Sequence, residues 1–290
     1  MTKADKKVFA VGTSADRLPT FFAVGPPRTA TTWLYNVLKG HTGLPKGIKE
    51  TQFFSWNHDL GIDWYKNFFL HCPPDLPVGE IGPAYFDYAL ARARIKECIP
   101  NAKVIITLRD PLDRIYSQYK LWRSFGLIDG PFDYATQRRE LSASSSYSSN
   151  IRAWIKLFGR DRLLLLFHED LEKDPQDVVR KLCAFIGIPG IDLVQSKLNR
   201  RRVLSVARSA RSRRLARSAL RLKDSLIRRQ KCLRIANLLE DSNPVFNFCF
   251  SGGPGFTPLD PRAKSTLRAI LRPEIEDLEN LVHRDLSHWK

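Results

Sequence analysis

The 290-residue sequence lacks the features that staple small secreted domains or hold structural metals. Its five cysteines lie far apart and include no CxxC pair, so neither a disulfide framework nor a zinc site is predicted. No apolar stretch is long enough to span a membrane, and the N-terminal residues have no signal-peptide core. We therefore expect a soluble protein in a reducing compartment, the cytoplasm.

Positive charge is the strongest bias of the composition, and it is concentrated in one segment. The formal net charge is +17, and between Arg200 and Arg234 fourteen basic residues stand against one acid, Asp224. Leucines recur there with helical phase and leave arginines on the other faces. Three interpretations remain open: an edge helix that helps hold an anionic ligand, an amphipathic helix on anionic lipid, or a solvated face without a partner.

Buried strands alternate with amphipathic helices along most of the chain. This alternation predicts an α/β fold with a central parallel sheet, flanked by helices. We expect one domain with a core, a basic helical segment and a C-terminal helix that packs back, at 19–190, 199–240 and 258–290. The strands are predicted at 19–24, 103–108 and 162–167, and the main helices at 31–39, 111–123, 175–186 and 261–289.

The stretch GPPRTATTW, residues 25–33, follows the first predicted strand directly. Unpaired N–H groups at a helix start bind anions, and Arg28 and the neighbouring threonine hydroxyls would add charge and donors. The nucleotide-triphosphate signature GxxxxGK[ST] is absent. The alternative is a plain strand–helix turn in which the threonines cap the helix.

A second candidate anion site follows the strand at 103–108, where the sequence reads Arg109-Asp110-Pro111. Ser117 lies two turns into the next predicted helix and would add a hydroxyl. Because the carboxyl ends of parallel strands share one edge of a sheet, we expect Arg28 and Arg109 to lie in neighbouring pockets. The alternative is a simple ion pair between Arg109 and Asp110.

Both stretches resemble the donor motifs of sulfotransferases that use 3′-phosphoadenosine 5′-phosphosulfate (PAPS). GPPRTATTWL is similar to their 5′-phosphosulfate loop, and VIITLRDPLDRIYSQY to their 3′-phosphate motif. Three further blocks, KETQFFS, GIDWYKNFF and GEIGPAYF at 49–55, 61–69 and 79–86, resemble the carbohydrate branch, which includes heparan sulfate sulfotransferases and bacterial relatives. The resemblance implies a P-loop-like sulfotransferase fold with a nucleotide-binding core, and no metal ion.

The resemblance also implies roles for individual residues. Arg28 would stabilise the leaving group and Glu50 would be the catalytic base, with Phe53 and Phe54 turning its segment inward. The expected donor-binding residues are Pro27, Arg28, Thr29, Ala30, Thr31, Thr32, Trp33, Arg109 and Ser117, to which the arginine run after Asn199 adds Arg202. The expected substrate-binding residues are Lys49, Glu80, Tyr85 and Phe86. Ile81 stands where heparan-type enzymes have a lysine that contributes to the transfer.

The acceptor is expected to be a hydroxyl, less readily an amine, of a sugar or glycosylated metabolite. His58 remains a weaker alternative base. Two rival functions remain open: a nucleotide-dependent kinase, and binding of nucleic acid or an anionic surface through the basic segment. We expect no nucleic-acid partner, and the basic segment leaves weak contact with an anionic membrane surface as an alternative.

Overall fold

The computed structural model describes residues 17–132, 143–193, 207–239 and 244–290. Four parallel strands form the central sheet in the order β2-β1-β3-β4. They are β1 (Phe21–Ala23), β2 (Gly79–Ile81), β3 (Lys103–Leu108) and β4 (Leu163–Phe167). The predicted α/β fold is confirmed, although the sequence did not predict the three-residue strand β2.

Helices connect and cover these strands, and several begin and end where sequence signals place them. Asp110 caps the helix after β3, and Asp174 caps the helix that ends at Gly187, whose φ of 88° is left-handed. The helices are α1 (Thr31–Leu38), α2 (Gly61–Lys66), α3 (Ala89–Cys98), α4 (Pro111–Ser124), α5 (Tyr147–Phe158), α6 (His168–Lys173), α7 (Pro175–Ile186), α8 (Arg213–Arg228), α9 (Leu233–Leu238), α10 (Pro244–Phe250) and α11 (Pro261–Val282).

Apolar side chains cover both faces of the sheet, as a parallel sheet requires. On one face Phe22 and Val104 pack with residues of α2 to α5 and α11. On the other face Ala23 and Ile81 pack with α1 and α7. Because side chains alternate along a strand, Glu80 points to the face opposite Ile81. The carboxyl ends of the strands remain as the edge at which a ligand site can form.

The C-terminal helix α11 packs back against α4 and α5. Arg152 of α5 forms a two-pronged ion pair with Asp277, at 2.5 and 2.6 Å, and Glu274 accepts the backbone N–H of Ser148 at 2.6 Å. The helix ends at Val282, seven residues before the predicted end, because His283 adopts a left-handed φ of 52°. The chain then turns so that Trp289 is buried in the core.

The basic segment is not one continuous helix. Arg208–Ala210 forms strand β5, which pairs antiparallel with β6, Gly252–Gly255. This pairing places the glycines of FSGGPGFTP, residues 250–258, in a two-stranded sheet. Helix α8 then carries most of the arginines that the structure describes in the basic segment. Arg202 lies outside the described residues. No helix in the described part of the chain is both long and apolar enough to cross a bilayer.

Candidate active site

The loop between β1 and α1 is compressed against β3. A Cβ atom on Gly25 would lie 2.1 Å from the Thr107 hydroxyl oxygen, so only glycine fits there. Arg28 and Ala30 both have left-handed backbone, with φ of 78° and 72°. Thr29 is buried, and its hydroxyl donates to the Pro26 carbonyl at 2.7 Å and lies 2.6 Å from the Thr107 hydroxyl. The Thr29 side chain therefore shapes the loop and does not offer the free hydroxyl expected of it.

The start of α1 is the second element of the site. Ala30 is its N-cap and makes no side-chain capping bond, so the first-turn N–H groups keep their capacity for an anion. Thr31 is buried and Thr32 half-buried, and both hydroxyls lie close to the Lys49 ammonium, at 3.4 and 3.2 Å. Trp33 is half-buried in the same turn and, with Pro27, flanks the loop.

Arg28 is turned towards α4. Its Nε atom donates to the Ser117 hydroxyl at 2.8 Å. Burial and then repulsion from Arg109 lower the pKa of the Arg28 guanidinium to about 10. Burial and repulsion from both arginines also lower the pKa of Lys120, which lies one turn after Ser117. Three cations therefore converge at the carboxyl ends of β1 and β3, and Lys120 is a member that the sequence analysis did not single out.

Arg109 and Asp110 do not pair with each other. Asp110 accepts the Leu112 N–H at 2.9 Å and receives two hydrogen bonds from Arg268 of α11, at 2.5 and 2.9 Å. The guanidinium of Arg109 instead lies 3.4 Å from the exposed Asp113 carboxylate. Its own backbone carbonyl accepts a hydrogen bond from Tyr147 at 2.9 Å. The strand end is thus fixed from three sides while the Arg109 side chain remains partly exposed.

Glu50 lies on a tight turn beside the start of α1. Its carboxylate pairs with Lys49 at 2.9 Å and accepts a hydrogen bond from the Gln52 side chain at 2.8 Å. Gln52 has a left-handed φ of 56°, a strained conformation of the kind found at functional sites. Lys49 therefore bridges the α1 hydroxyls and Glu50, a position between the donor loop and the acceptor side.

Glu80, Tyr85 and Phe86 are fully buried, which corrects the expectation that they contact an acceptor. Glu80 accepts hydrogen bonds from Thr51, Tyr65 and Tyr85, and burial raises the pKa of its carboxyl. The Phe86 carbonyl accepts from Arg92 and Trp154 side chains, and its ring lies in the core. Glu80 lies on β2, an edge strand of the sheet, and Tyr85 and Phe86 follow in the turn after it. All three side chains enter the core on the face covered by α2 to α5, behind the Glu50 turn.

The ring of His58, the alternative base, packs against the ring of Phe53. The two ring centroids are 5.2 Å apart, and desolvation with the nearby Arg94 lowers the pKa of the imidazole. Its other charged neighbours are Glu97 and Asp59. Among the described residues, no group of three or more His, Cys, Asp or Glu side chains is arranged to hold a metal ion.

Comparison with known proteins identifies the family of this chain. Residues 18–218 match the family described as Sulfotransferase domain. Curated relatives include the bifunctional heparan sulfate N-deacetylase/N-sulfotransferase 4 of Mus musculus, 31% identical over 211 residues, and enzyme 3 of Homo sapiens, 30% identical over 211 residues. Each alignment covers 64% of this chain and 24% of the relative, so the chain spans about a quarter of these proteins.

Solved structures share the fold at lower identity. A sulfotransferase from Alicyclobacillus acidocaldarius superposes with a TM-score of 0.67 at 21% identity, covering 94% of this chain and 99% of that one. Mouse sulfotransferase SULT7A1, solved in complex with PAP, gives 0.51 at 15% identity, covering 91% and 86%. Since the family match spans well over half of the chain, the resemblance seen in the motifs is confirmed: this protein belongs to the sulfotransferase domain family.

Proposed function

We propose that the protein transfers a sulfuryl group from PAPS to a hydroxyl or amine of a carbohydrate acceptor. The observation that carries the proposal is the convergence of Arg28, Arg109 and Lys120 on one edge of the parallel sheet, beside the Lys49–Glu50 pair. Repulsion among these cations favours an anion with more than one charged group, and PAPS has a phosphate at one end and a phosphosulfate at the other.

In this mechanism the donor binds along the edge formed by β1 and β3. Arg109 and Ser117 hold the 3′-phosphate, and the loop from Pro27 to Thr32 holds the 5′-phosphosulfate with its backbone N–H groups and α1 start. Arg28 stabilises the charge that develops on the bridging oxygen as the bond from sulfur to that oxygen breaks. Such stabilisation by a preorganised donor is worth about 10²–10³ in rate.

Glu50 is the base of the proposed reaction. It takes the proton from the acceptor group as the new bond to sulfur forms. The other product is 3′-phosphoadenosine 5′-phosphate (PAP), which leaves with the bridging oxygen. The ammonium of Lys49 lies 2.9 Å from Glu50 and 3.2 Å from the Thr32 hydroxyl, which places a positive charge between the base and the donor loop. We propose that Lys49 contacts the equatorial oxygens of the sulfuryl group during the transfer. Ile81 is apolar and buried in the core, so it cannot supply this charge.

The acceptor class rests on the relatives. These relatives are named as heparan sulfate N-sulfotransferases, which supports a carbohydrate acceptor. The name also makes an amine a candidate acceptor group, beside the hydroxyl groups that the motifs suggest. Trp56 lies six residues after Glu50 and is 68% exposed, so its ring is available to stack on a sugar face.

Localisation in the cytoplasm remains part of the proposal.

The decisive experiment combines binding and turnover. PAP without Mg²⁺ is expected to raise the melting temperature of the protein, and ATP with Mg²⁺ is expected to do less. Transfer of labelled sulfate from PAPS is then measured across hydroxyl and amine acceptors. Glu50→Gln should keep the PAP-induced stabilisation and lose turnover. Better stabilisation by ATP with Mg²⁺ would favour a kinase, and full turnover by Glu50→Gln would place the base elsewhere.

A further inference from the structure

A buried carboxylate, Glu80, lies directly behind the Glu50 turn, and none of its hydrogen-bond donors in the described part of the chain is basic. Glu80 has no exposed surface, and its four hydrogen-bond donors are neutral. They are the Thr51 N–H at 3.0 Å, the Thr51 hydroxyl at 2.5 Å, and the phenols of Tyr65 at 2.6 Å and Tyr85 at 3.0 Å. Burial of a carboxylate is expensive, and an apolar residue would fill the same space more favourably. This calls for a role other than packing.

The two carboxylate oxygens have different partners. Oε1 binds both groups of Thr51 and also Tyr85, whereas Oε2 binds Tyr65. Thr51 immediately follows Glu50 in the chain. One oxygen therefore holds the backbone of the catalytic turn, and the other is held by a helix behind it.

From Thr51 the contacts continue through the whole turn. Its hydroxyl accepts the Phe53 N–H at 3.1 Å, and its carbonyl accepts the Asn57 side chain at 2.8 Å. The Tyr85 hydroxyl accepts the Phe54 N–H at 3.4 Å. Gln52 lies between these hydrogen-bonded residues in its left-handed conformation, and its side chain donates to the Glu50 carboxylate. The hydrogen bonds that start at Glu80 therefore reach the proposed base itself.

We propose that Glu80 is a positioning residue which, through Thr51, fixes the turn so that Glu50 and Lys49 keep their places beside the start of α1. The inference rests on the proposed function of Glu50. Glu80 touches neither donor nor acceptor, because it has no exposed surface. Positioning of this kind affects the rate strongly, since a displacement of about 1 Å can lower it by about a hundredfold.

Two variants provide a matched test, because each removes one hydroxyl that donates a hydrogen bond to the Glu80 carboxylate. Thr51→Val removes a bond to Oε1 and keeps the branched shape of the side chain. Tyr65→Phe removes the bond to Oε2 and keeps the ring stacked on Phe53, with centroids 4.5 Å apart. Both leave the buried carboxylate one donor short and should lower the melting temperature, and Thr51→Val should lower it further because the Phe53 N–H also loses its acceptor.

Their effects on turnover should differ. Thr51→Val should lower kcat by about tenfold or more and leave PAP affinity within about twofold, because only the turn moves. Tyr65→Phe should keep kcat within about threefold of the wild-type value. Thr51→Ser keeps the hydroxyl and should therefore regain the kcat that Thr51→Val loses. Equal losses of kcat in the two variants, in proportion to their loss of stability, would reduce Glu80 to a structural residue and overturn the inference.

Hydrogen exchange gives a second measurement that needs no turnover. The backbone N–H groups of residues 51, 53 and 54 should exchange faster in Thr51→Val and in Glu80→Gln, and at the wild-type rate in Tyr65→Phe. Unchanged protection of this turn in Glu80→Gln would overturn the inference. If the turn loosens as expected but the wild-type protein binds PAP and transfers no sulfuryl group to any acceptor, the proposed function fails while the positioning of the turn stands.

Discussion

The Nε atom of Arg28 donates a hydrogen bond of 2.8 Å to the hydroxyl of Ser117, and this contact joins the loop after β1 to the middle of α4. The two residues are 89 positions apart in the sequence. The bond directs the Arg28 guanidinium towards Arg109, whose charge opposes it. The donor site is therefore assembled under electrostatic repulsion that a bound anion would relieve.

Arg28→Met should stabilise the protein without ligand and abolish most of its response to PAP. The pKa of Arg28 is lowered to about 10 by burial and by Arg109, which means that the charged form is disfavoured in the folded state. Thermal melting with and without PAP measures both effects. A lower melting temperature for the ligand-free variant would show that Arg28 contributes more to the fold than its repulsion takes away.

Donor binding should weaken as the pH rises from 8 to above 10. Burial and Arg109 lower the pKa of Arg28 to about 10, and burial and the two arginines lower the pKa of Lys120, so both side chains lose positive charge at a lower pH than usual. At pH values below its pKa, a cation whose pKa is lowered by folding destabilises the folded protein. Bound PAP favours the charged form and so raises the pKa of these side chains, which means that PAP binds less tightly once they lose their protons. Isothermal titration across this range, with Lys120→Met to remove one of the two groups, separates their contributions.

Lys49→Met should lower kcat/KM by about ten- to a hundredfold, because it removes a charge that lies 3.2 Å from Thr32 and 2.9 Å from Glu50. Lys46→Met is the matched control, since Lys46 belongs to the same segment but is exposed and should tolerate the change. Equal activity of the two variants in the sulfate-transfer assay would exclude Lys49 from the transfer step.

The sequence predicted the parts of the site that depend on local signals. Strand β3, Lys103–Leu108, and helix α7, Pro175–Ile186, were predicted with their observed bounds, because a buried apolar run and a proline start mark them. The neighbouring positions of Arg28 and Arg109 followed from the rule that parallel strands share their carboxyl ends.

Contacts between distant segments could not be predicted. Glu80 was expected to face an acceptor because the block GEIGPAYF resembles a sulfotransferase motif. Its partners Thr51, Tyr65 and Tyr85 instead lie in three separate segments. Strand β2 is three residues long and gives no periodic signal. Arg268 and Asp110 are 158 positions apart, and nothing local indicates their pairing.

That pairing predicts a coupling between the C-terminal helix and the donor site. The side chains of Arg268 and Asp110 are only 17% and 16% exposed, and Asp110 also caps α4. Arg268→Met and Asp110→Asn should each lower the free energy of unfolding by about 2 kcal/mol, and the double variant by clearly less than the sum. A double-mutant cycle in urea measures the coupling, and strict additivity would contradict it.

Gly25 provides the sharpest steric prediction. An added Cβ atom would lie 2.1 Å from the Thr107 hydroxyl oxygen and 2.5 Å from the Thr107 backbone nitrogen, so Gly25→Ala must displace β1 or β3. We expect a loss of more than about 2 kcal/mol in the free energy of unfolding and a loss of PAP binding. Gly190→Ala is the control, because nothing lies within 4 Å of the added atom there. Combining Gly25→Ala with Thr107→Ala should restore only part of the stability, since the backbone clash remains; full restoration would show that the hydroxyl alone sets the approach of the two strands.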